Sequence, residues 1–99
     1  MMLVKTHKDA DGMRLFAICD PDLIGRRFEE GKRQLDINRS FYKGEEMDED
    51  ALRKLLTGTF TINACGKRSV ELCILLGVVQ RERVITIACV PHAEAMSEA

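Results

Sequence analysis

Two segments of the sequence carry residue types that could do chemistry. The first is "NACGKRS", residues 63–69, where a predicted strand passes into a helix, and the second is "CVPH", residues 89–92, at the end of an apolar run. Histidine, cysteine and neighbouring cations can bind anions, ligate zinc or transfer protons. Ligands commonly bind at the carboxyl ends of parallel strands, so two such ends on neighbouring strands predict one site.

The start of the predicted helix has an unusual charge pattern. Lys67 and Arg68 lie in its first turn, where acidic residues are the norm because the helix dipole is positive there. Two cations at that end, with backbone N–H groups free after Gly66, predict an anion pocket. His92 would add a donor or a cation, and Asn63 a further polar group. The alternative is structural: both cations extend into solvent, and His92 bonds a backbone carbonyl as a C-terminal clasp.

The cysteines and His92 allow two further interpretations. Cys65, Cys89 and His92 supply three potential zinc ligands, whereas a structural zinc site needs four, so we predict neither a metal nor a cofactor. Alternatively, Cys65 near a helix N-terminus would have a lowered pKa and act as a nucleophile, with His92 as its base. The four cysteines form no C-x-x-C pair. We favour packed thiols in a reducing compartment.

A second group of cations lies in a weaker predicted hairpin, residues 26–37. Strand alternation places Arg26 and Arg27 on opposite faces, so the whole group cannot act together. The chain has four Phe, one Tyr and no Trp, which disfavours a base-stacking platform and favours contact with phosphates. The alternative is a solvated hairpin. The cations in and around it are Arg26, Arg27, Lys32, Arg33 and Arg39.

The first half of the chain predicts strands joined by tight turns. Two apolar runs, 2–7 and 13–19, flank Asp11-Gly12, a pair typical of hairpin loops. Asp20-Pro21 then ends the second strand, because proline cannot donate to a ladder. In the weaker hairpin, we expect Phe28, Leu35 and Ile37 to be buried.

The second half predicts two helices and two strands. A helix begins after Asp48, a favoured N-cap, and ends at Gly58. Alternation predicts a strand over 59–64, and a largely apolar helix follows over 67–76. The continuous apolar run 84–90 is typical of a strand covered on both faces.

These elements predict one α+β domain over residues 1–99. Strand, helix and strand in close succession favour a C-terminal βαβ unit with parallel neighbouring strands. The expected architecture is a compact two-layer sandwich. A mixed sheet of about five or six strands carries the two main helices on one face.

The composition predicts a cytoplasmic globular protein without a membrane partner. The chain has 99 residues, of which 45% are hydrophobic and 31% charged. No run approaches the roughly 20 apolar residues of a membrane span, and polar residues from Lys5 onward leave no signal-peptide core. With 15 basic against 16 acidic residues, the net charge is -1. Nucleic-acid binding would therefore need a local basic face.

The sequence resembles an archaeal family of unknown function, domain of unknown function 424. The resemblance rests on "LFAICDPDLIGRRFEEG", "QLDINRSFYKGEE", "NACGKRSVELCILLGVV" and "VPHAEAM", which agree in order and spacing over nearly the whole chain. It implies a two-layer α+β domain but no known activity. The positions of Cys65 and Cys89 usually hold apolar or small residues in that family, which weakens the zinc and thiol interpretations. The residues that the family pattern stresses are Asp20, Gly25, Phe28, Gly31, Gly44, Asn63, Gly66, Pro91 and His92.

Three functions follow from these patterns, and the sequence leaves the oligomeric state open. We favour a non-enzymatic module that binds RNA, a ribonucleoprotein or another phosphate-bearing partner, through residues 66–68 with His92 and the basic hairpin. Such a module would suit the translation or ribosome-assembly machinery. A small enzyme acting on a phosphorylated or acyl metabolite, with His92 as acid and base and Cys65 or Asn63 assisting, would need a pocket beside that histidine. A protein–protein adaptor using Phe41 and Tyr42 beside the acidic segment 45–50 would need an exposed apolar patch.

Overall fold

A six-stranded mixed sheet organises the computed structural model, which describes residues 1–97. Its strand order is β5-β1-β2-β6-β8-β7, and a separate hairpin is formed by β3 and β4. Within the large sheet, β2 and β6 are parallel, and the other neighbours are antiparallel. The strands are β1 (Met2–Lys8), β2 (Arg14–Cys19), β3 (Arg27–Glu30), β4 (Arg33–Asp36), β5 (Glu45–Met47), β6 (Phe60–Cys65), β7 (Ile85–Ile87) and β8 (Val90–Ser97).

Helices connect these strands at three points. They are α1 (Arg39–Tyr42), α2 (Glu49–Leu55) and α3 (Lys67–Leu75), and 3-10 turns cover Pro21–Leu23 and Arg81–Arg83. The predicted N-cap of α2 is confirmed, because Asp48 Oδ1 accepts a hydrogen bond from the Ala51 N–H at 2.8 Å. None of the helices in residues 1–97 combines the length and apolarity that a membrane crossing requires.

The predicted strand over 84–90 is wrong, because the chain reverses inside that run. Ala88 and Cys89 have φ angles of 50° and 67° and form the turn between β7 and β8. The reversal inserts β8 between β6 and β7, so β6 and β7 run in the same direction but are not neighbours. The strand–helix–strand order of the predicted βαβ unit holds, whereas the adjacency of its strands does not. The parallel neighbour of β6 is β2.

Two apolar clusters cover the two faces of the sheet. Helices α2 and α3 pack on one face, as predicted, and contribute Leu52, Val70, Leu72 and Cys73 to its core. The opposite face is covered by the β3–β4 hairpin and α1 through Leu35, Ile37 and Tyr42. The two predicted layers therefore gain a partial third layer. Of the three side chains expected to be buried in the hairpin, Leu35 and Ile37 are buried, and Phe28 is partly buried.

Candidate functional site

A cleft of about 560 Å³ opens at the carboxyl ends of β2 and β6, the parallel pair of the sheet. This is the place where ligands bind in parallel sheets, although the predicted partner strand was a different one. Its walls come from three elements: the turn after β2, the start of α3 and the β7–β8 turn. The lining residues are Asp20, Pro21, Asp22, Leu23, Gly66, Lys67, Arg68, Cys89, Val90 and Pro91.

Asp20 caps the start of α3 from a distant part of the sequence. Its Oδ1 accepts hydrogen bonds from the Ser69 N–H at 2.8 Å and the Ser69 hydroxyl at 2.7 Å. Its Oδ2 accepts from the Arg68 N–H at 3.1 Å. These N–H groups, predicted to be free for an anion, already bind an internal carboxylate. The physical reason is that the N-cap residue is Gly66, which has no side-chain oxygen to serve as a cap.

Gly66 is held where no larger residue would fit. Its φ angle is 103°, and a Cβ atom there would lie 2.5 Å from Oδ2 of Asp20. Its N–H donates to the carbonyl of Pro91 at 2.9 Å, which ties the start of α3 to β8. Gly66 therefore positions both the capping carboxylate and the floor of the cleft.

Lys67 and Arg68 are exposed at the mouth of the cleft. Neither side chain forms an ion pair within residues 1–97. Asp22 adds an exposed carboxylate, whereas Asp20 is buried and already bonded to α3. The arrangement leaves two cations available to an anionic ligand, which they would bind through their side chains.

His92 belongs to a different group of polar side chains on the sheet face that α1 covers. Its Nδ1 lies 3.2 Å from Sγ of Cys65, its partner across β6 and β8, and its Nε2 lies 3.6 Å from Oε1 of Glu94. The Cys65 thiol donates to the Tyr42 hydroxyl at 3.1 Å, and that hydroxyl donates to Asn63 Oδ1 at 2.5 Å. The Asn63 amide closes the ring by donating to Glu94 at 3.3 Å. We call these five residues the polar ring.

As a member of the polar ring, His92 lies apart from the predicted anion pocket. Cys65 belongs to the apolar cluster under α1, while α3 packs on the other face. His92 pairs with Cys65 and shares its face, and it is not among the residues that line the cleft. The structure therefore brings His92 together with Asn63 and Cys65, as predicted, but not with Lys67 and Arg68. Its side chain is only 13% exposed, which agrees with a structural role in the ring.

The thiol of Cys65 is not activated. Burial raises its pKa to about 11, and the smaller opposing effect is the hydrogen bond to Tyr42. The predicted lowering of this pKa is wrong, because burial raises it and the carboxylates of Asp20 and Glu94 add negative charge nearby. The raised pKa favours the protonated thiol at neutral pH, whereas the nucleophilic form is the thiolate.

The three weak zinc candidates are divided between two places. Cys65 and His92 lie in the polar ring, whereas Cys89 is exposed at the β7–β8 turn and lines the cleft. Within residues 1–97, no group of three His, Cys, Asp or Glu side chains is arranged to hold a metal ion.

The predicted basic hairpin lies beside the cleft. Glu30 at its tip accepts a hydrogen bond from the Ala88 N–H at 2.7 Å, which joins the tip to the β7–β8 turn. Lys32 and Arg33 at this tip are exposed and form no ion pair within the described chain. The hairpin therefore extends the cationic surface of the cleft.

The other arginines of the hairpin are partly committed to local contacts. The guanidinium of Arg26 stacks over the ring of Phe28 at 4.9 Å. Arg27 contacts Glu29 at 3.4 Å and donates to Gln34 at 2.8 Å. Of the predicted basic group, we therefore expect Lys32 and Arg33 to be more available than Arg26 and Arg27.

The surface expected for an adaptor is not present at Tyr42. Tyr42 is only 3% exposed, because its hydroxyl is part of the polar ring. Phe41 is half-buried and stacks on His7 with ring centroids 4.7 Å apart. The two aromatic residues fasten α1 to the sheet and do not form an exposed apolar patch.

Sequence reasoning missed Asp20, Tyr42 and Glu94 as members of these sites. A glycine at the N-cap of α3 was the available signal for Asp20, since a helix start without a local cap requires one from elsewhere. Tyr42 and Glu94 gave no comparable signal, because their partners depend on which strands are neighbours.

Comparisons with known proteins assign the chain to a family but indicate no activity. The model of the family described as "Protein of unknown function (DUF424)" matches residues 7–97, which confirms the predicted resemblance. A search of curated proteins finds no match. A crystal structure of an uncharacterized conserved protein from Methanopyrus kandleri is similar, with 26% identity and a TM-score of 0.79. The similarity covers 96% of this chain and 90% of that one.

Proposed function

Because the chain belongs to the DUF424 family, whose function is unknown, its role must be argued from its own residues, and we propose that it binds RNA through phosphate contacts. The proposal places the phosphate at the cleft between the ends of β2 and β6. The main support is a pair of exposed cations, Lys67 and Arg68, at the mouth of a cleft of about 560 Å³. Neither side chain has an ion-pair partner in residues 1–97.

The capping by Asp20 decides how such a phosphate would bind. Since Asp20 takes the N–H groups of Arg68 and Ser69, the backbone cannot cradle the phosphate as a P-loop does. Binding would rest on side-chain cations that remain solvated. We therefore expect modest affinity, strong dependence on salt and little base specificity.

The position of the neighbouring hairpin favours an extended ligand with several phosphates and not a single small anion. Its tip, with Lys32 and Arg33, contacts the β7–β8 turn that forms one wall of the cleft. Cations on both sides of a cleft suit successive phosphates of one strand. The exposed carboxylates of Asp22 and Glu29 reduce the net charge of this surface, so we expect binding through these few contacts and not through bulk attraction.

The contacts that His92 makes in the polar ring favour a binding protein and not an enzyme. An enzyme using His92 as acid and base would need that histidine in contact with bound substrate. Here both ring nitrogens of His92 face members of the polar ring, and the Cys65 thiol beside it stays protonated. We therefore propose a non-enzymatic module.

The test is a titration of the purified protein with labelled total cellular RNA at low and high salt, read by fluorescence anisotropy. We expect Lys67→Glu/Arg68→Glu to weaken binding about tenfold or more at low salt. The slope of log affinity against log salt should fall by about 1.4, since each contact with a single-stranded phosphate contributes about 0.7.

The matched control is Lys43→Glu/Lys54→Glu, which changes the net charge equally at exposed positions outside the cleft. It should retain most of the affinity. Equal loss in both double variants would show that only net charge matters, and it would contradict the cleft as the site. Absence of binding by the wild type at low salt would rule out the RNA proposal altogether.

A further inference from the structure

The outer edge of β8 is open over most of its length. β8 spans Val90–Ser97, and β6 covers its inner edge from His92 onward. On the outer edge, β7 pairs only with the first three residues of β8. In the part of the chain that the structure describes, residues 93–97 therefore have no strand on that side. An open edge of this kind is a template for another strand.

A groove of about 300 Å³ runs beside this open edge. Its other wall is the loop after α3, whose backbone bonds close within the loop: the Arg83 N–H donates to the Gln80 carbonyl at 2.9 Å. The loop flanks the edge without pairing with it. A strand in the groove would continue the line of β7, whose first residue, Ile85, pairs with His92.

The open segment has little of the protection that edge strands usually carry. Natural edges are blunted by charged side chains, lysine above all, by proline, by a bulge or by a covering element, whereas residues 93–97, Ala-Glu-Ala-Met-Ser, carry one charge, at Glu94. Beside the edge, the side chains of Met96 and Ile85 are 61% and 38% exposed. They lie on one face of the sheet, because Ile85 pairs with His92 and Met96 follows His92 by an even number of residues. Within residues 1–97, the backbone of this segment has no strand partner on its outer edge, and these two apolar side chains are exposed.

We propose that a second copy of this chain covers this edge, with the two β8 strands antiparallel about a two-fold axis at Ala95. In that register, Ala93 faces Ser97 of the second copy, and Glu94 faces Met96. Shifting the axis by one residue to Glu94 would place two like charges opposite each other, which is unfavourable. The two six-stranded sheets then join into one continuous sheet.

The charges at the groove are complementary to this arrangement. Arg83 lines the groove and forms no ion pair within residues 1–97. Glu94 uses its Oε1 atom for Asn63 and His92, while its Oε2 atom has no partner in the described chain. Since Met96 and Arg83 line the same groove, Glu94 of the second copy, opposite Met96, enters beside Arg83. Because of the two-fold symmetry, the contact between Glu94 and Arg83 occurs twice in the dimer.

The test measures the mass of the full chain by sedimentation equilibrium over a range of concentrations. We expect a monomer–dimer equilibrium for the wild type. Met96→Glu places a carboxylate opposite Glu94 of the second copy, twice per dimer, and should weaken dimerisation about tenfold. Met96→Lys places an ammonium at the same point and should dimerise at least as well as the wild type.

Leu75→Glu is the matched control, because Leu75 is 73% exposed on α3, away from the groove. It should leave dimerisation unchanged. Circular dichroism checks that each variant is folded, which we expect since both positions are exposed. A wild type that stays monomeric at every concentration overturns the proposal. So does a dimer that Met96→Glu leaves intact, or one that Met96→Lys weakens equally.

Discussion

Gly66 and Asp20 form the contact on which the cleft depends at the scale of single residues. The carboxylate of Asp20 fits against α3 only because Gly66 has no side chain, and it then makes three hydrogen bonds to Arg68 and Ser69. Neither residue is chemically reactive. Their role is to hold the start of α3 so that Lys67 and Arg68 face the cleft.

Replacing Gly66 by alanine should destabilise the protein by about 2–5 kcal/mol. The new Cβ would lie 2.5 Å from Oδ2 of Asp20, so the carboxylate must move and the cap of α3 is lost. Urea unfolding followed by circular dichroism measures the change. Gly77→Ala is the control, because Gly77 also has a positive φ angle, 78°, but a Cβ added there would meet no atom within 4 Å. Equal losses in the two variants would show that backbone strain alone explains the effect.

The β7–β8 hairpin is the element that could not be predicted from the sequence. A two-residue hairpin turn with positive φ at both positions favours Asn-Gly, because these residues tolerate the left-handed region. Here the turn is Ala88-Cys89, inside a run of apolar residues. Each such residue costs about 1–2 kcal/mol in that conformation. The pairing of β8 with β6 and β7 outweighs that cost.

Cys89→Gly should therefore stabilise the protein by about 0.5–1 kcal/mol, because glycine adopts the φ angle of 67° without strain. The gain is smaller than the strain itself, since glycine also increases the entropy of the unfolded chain. Cys89→Ala removes the thiol but keeps the strain, and it should leave the free energy of unfolding nearly unchanged. A glycine variant no more stable than the alanine variant would contradict the strain argument.

Most elements could be predicted because their signals are local. The hairpin of β1 and β2, the cap of α2 and the helix α3 follow from alternation, Asp48 and helical periodicity. The insertion of β8 between β6 and β7 could not be predicted, because Ala88-Cys89 carries no turn signal. The same insertion moved His92 away from Lys67. The proximity of Asn63, Cys65 and His92 was predicted correctly, but from parallel neighbours that the structure replaces with an antiparallel pair.

At the scale of the whole molecule, the sheet has two separate polar features, the polar ring and the open cleft. The polar ring lies under α1 on one face, while α3 and the two exposed cations begin at the end of the sheet. The ring makes its hydrogen bonds without an external ligand, and in residues 1–97 no buried side-chain nitrogen or oxygen lacks a partner. The ring therefore stabilises the fold, and the cleft is the part with unused charge.

Three buried thiols should make the stability of the whole molecule fall at alkaline pH. Burial raises the pKa of Cys19 to about 12, of Cys65 to about 11 and of Cys73 to about 12, from 9.0 in each case. Burial also raises the pKa of the Tyr42 hydroxyl. The unfolded chain loses these protons at lower pH than the folded one, so the stabilisation is complete below pH 9 and is lost as pH rises toward the folded values. Each thiol should lower the free energy of unfolding by on the order of 1 kcal/mol by pH 10.

The measurement is urea unfolding under reducing conditions at pH 8 and pH 10, comparing the wild type with two variants. Cys73→Ala leaves a small cavity and lowers stability at both pH values, but its further loss between them should be smaller than that of the wild type by on the order of 1 kcal/mol. Cys89→Ala removes an exposed thiol and should lose as much as the wild type. Because every other titratable group is common to the wild type and Cys73→Ala, the difference between these two proteins isolates the buried thiol. An equal loss in Cys73→Ala and the wild type would mean that Cys73 ionises as readily in the folded core as in the unfolded chain.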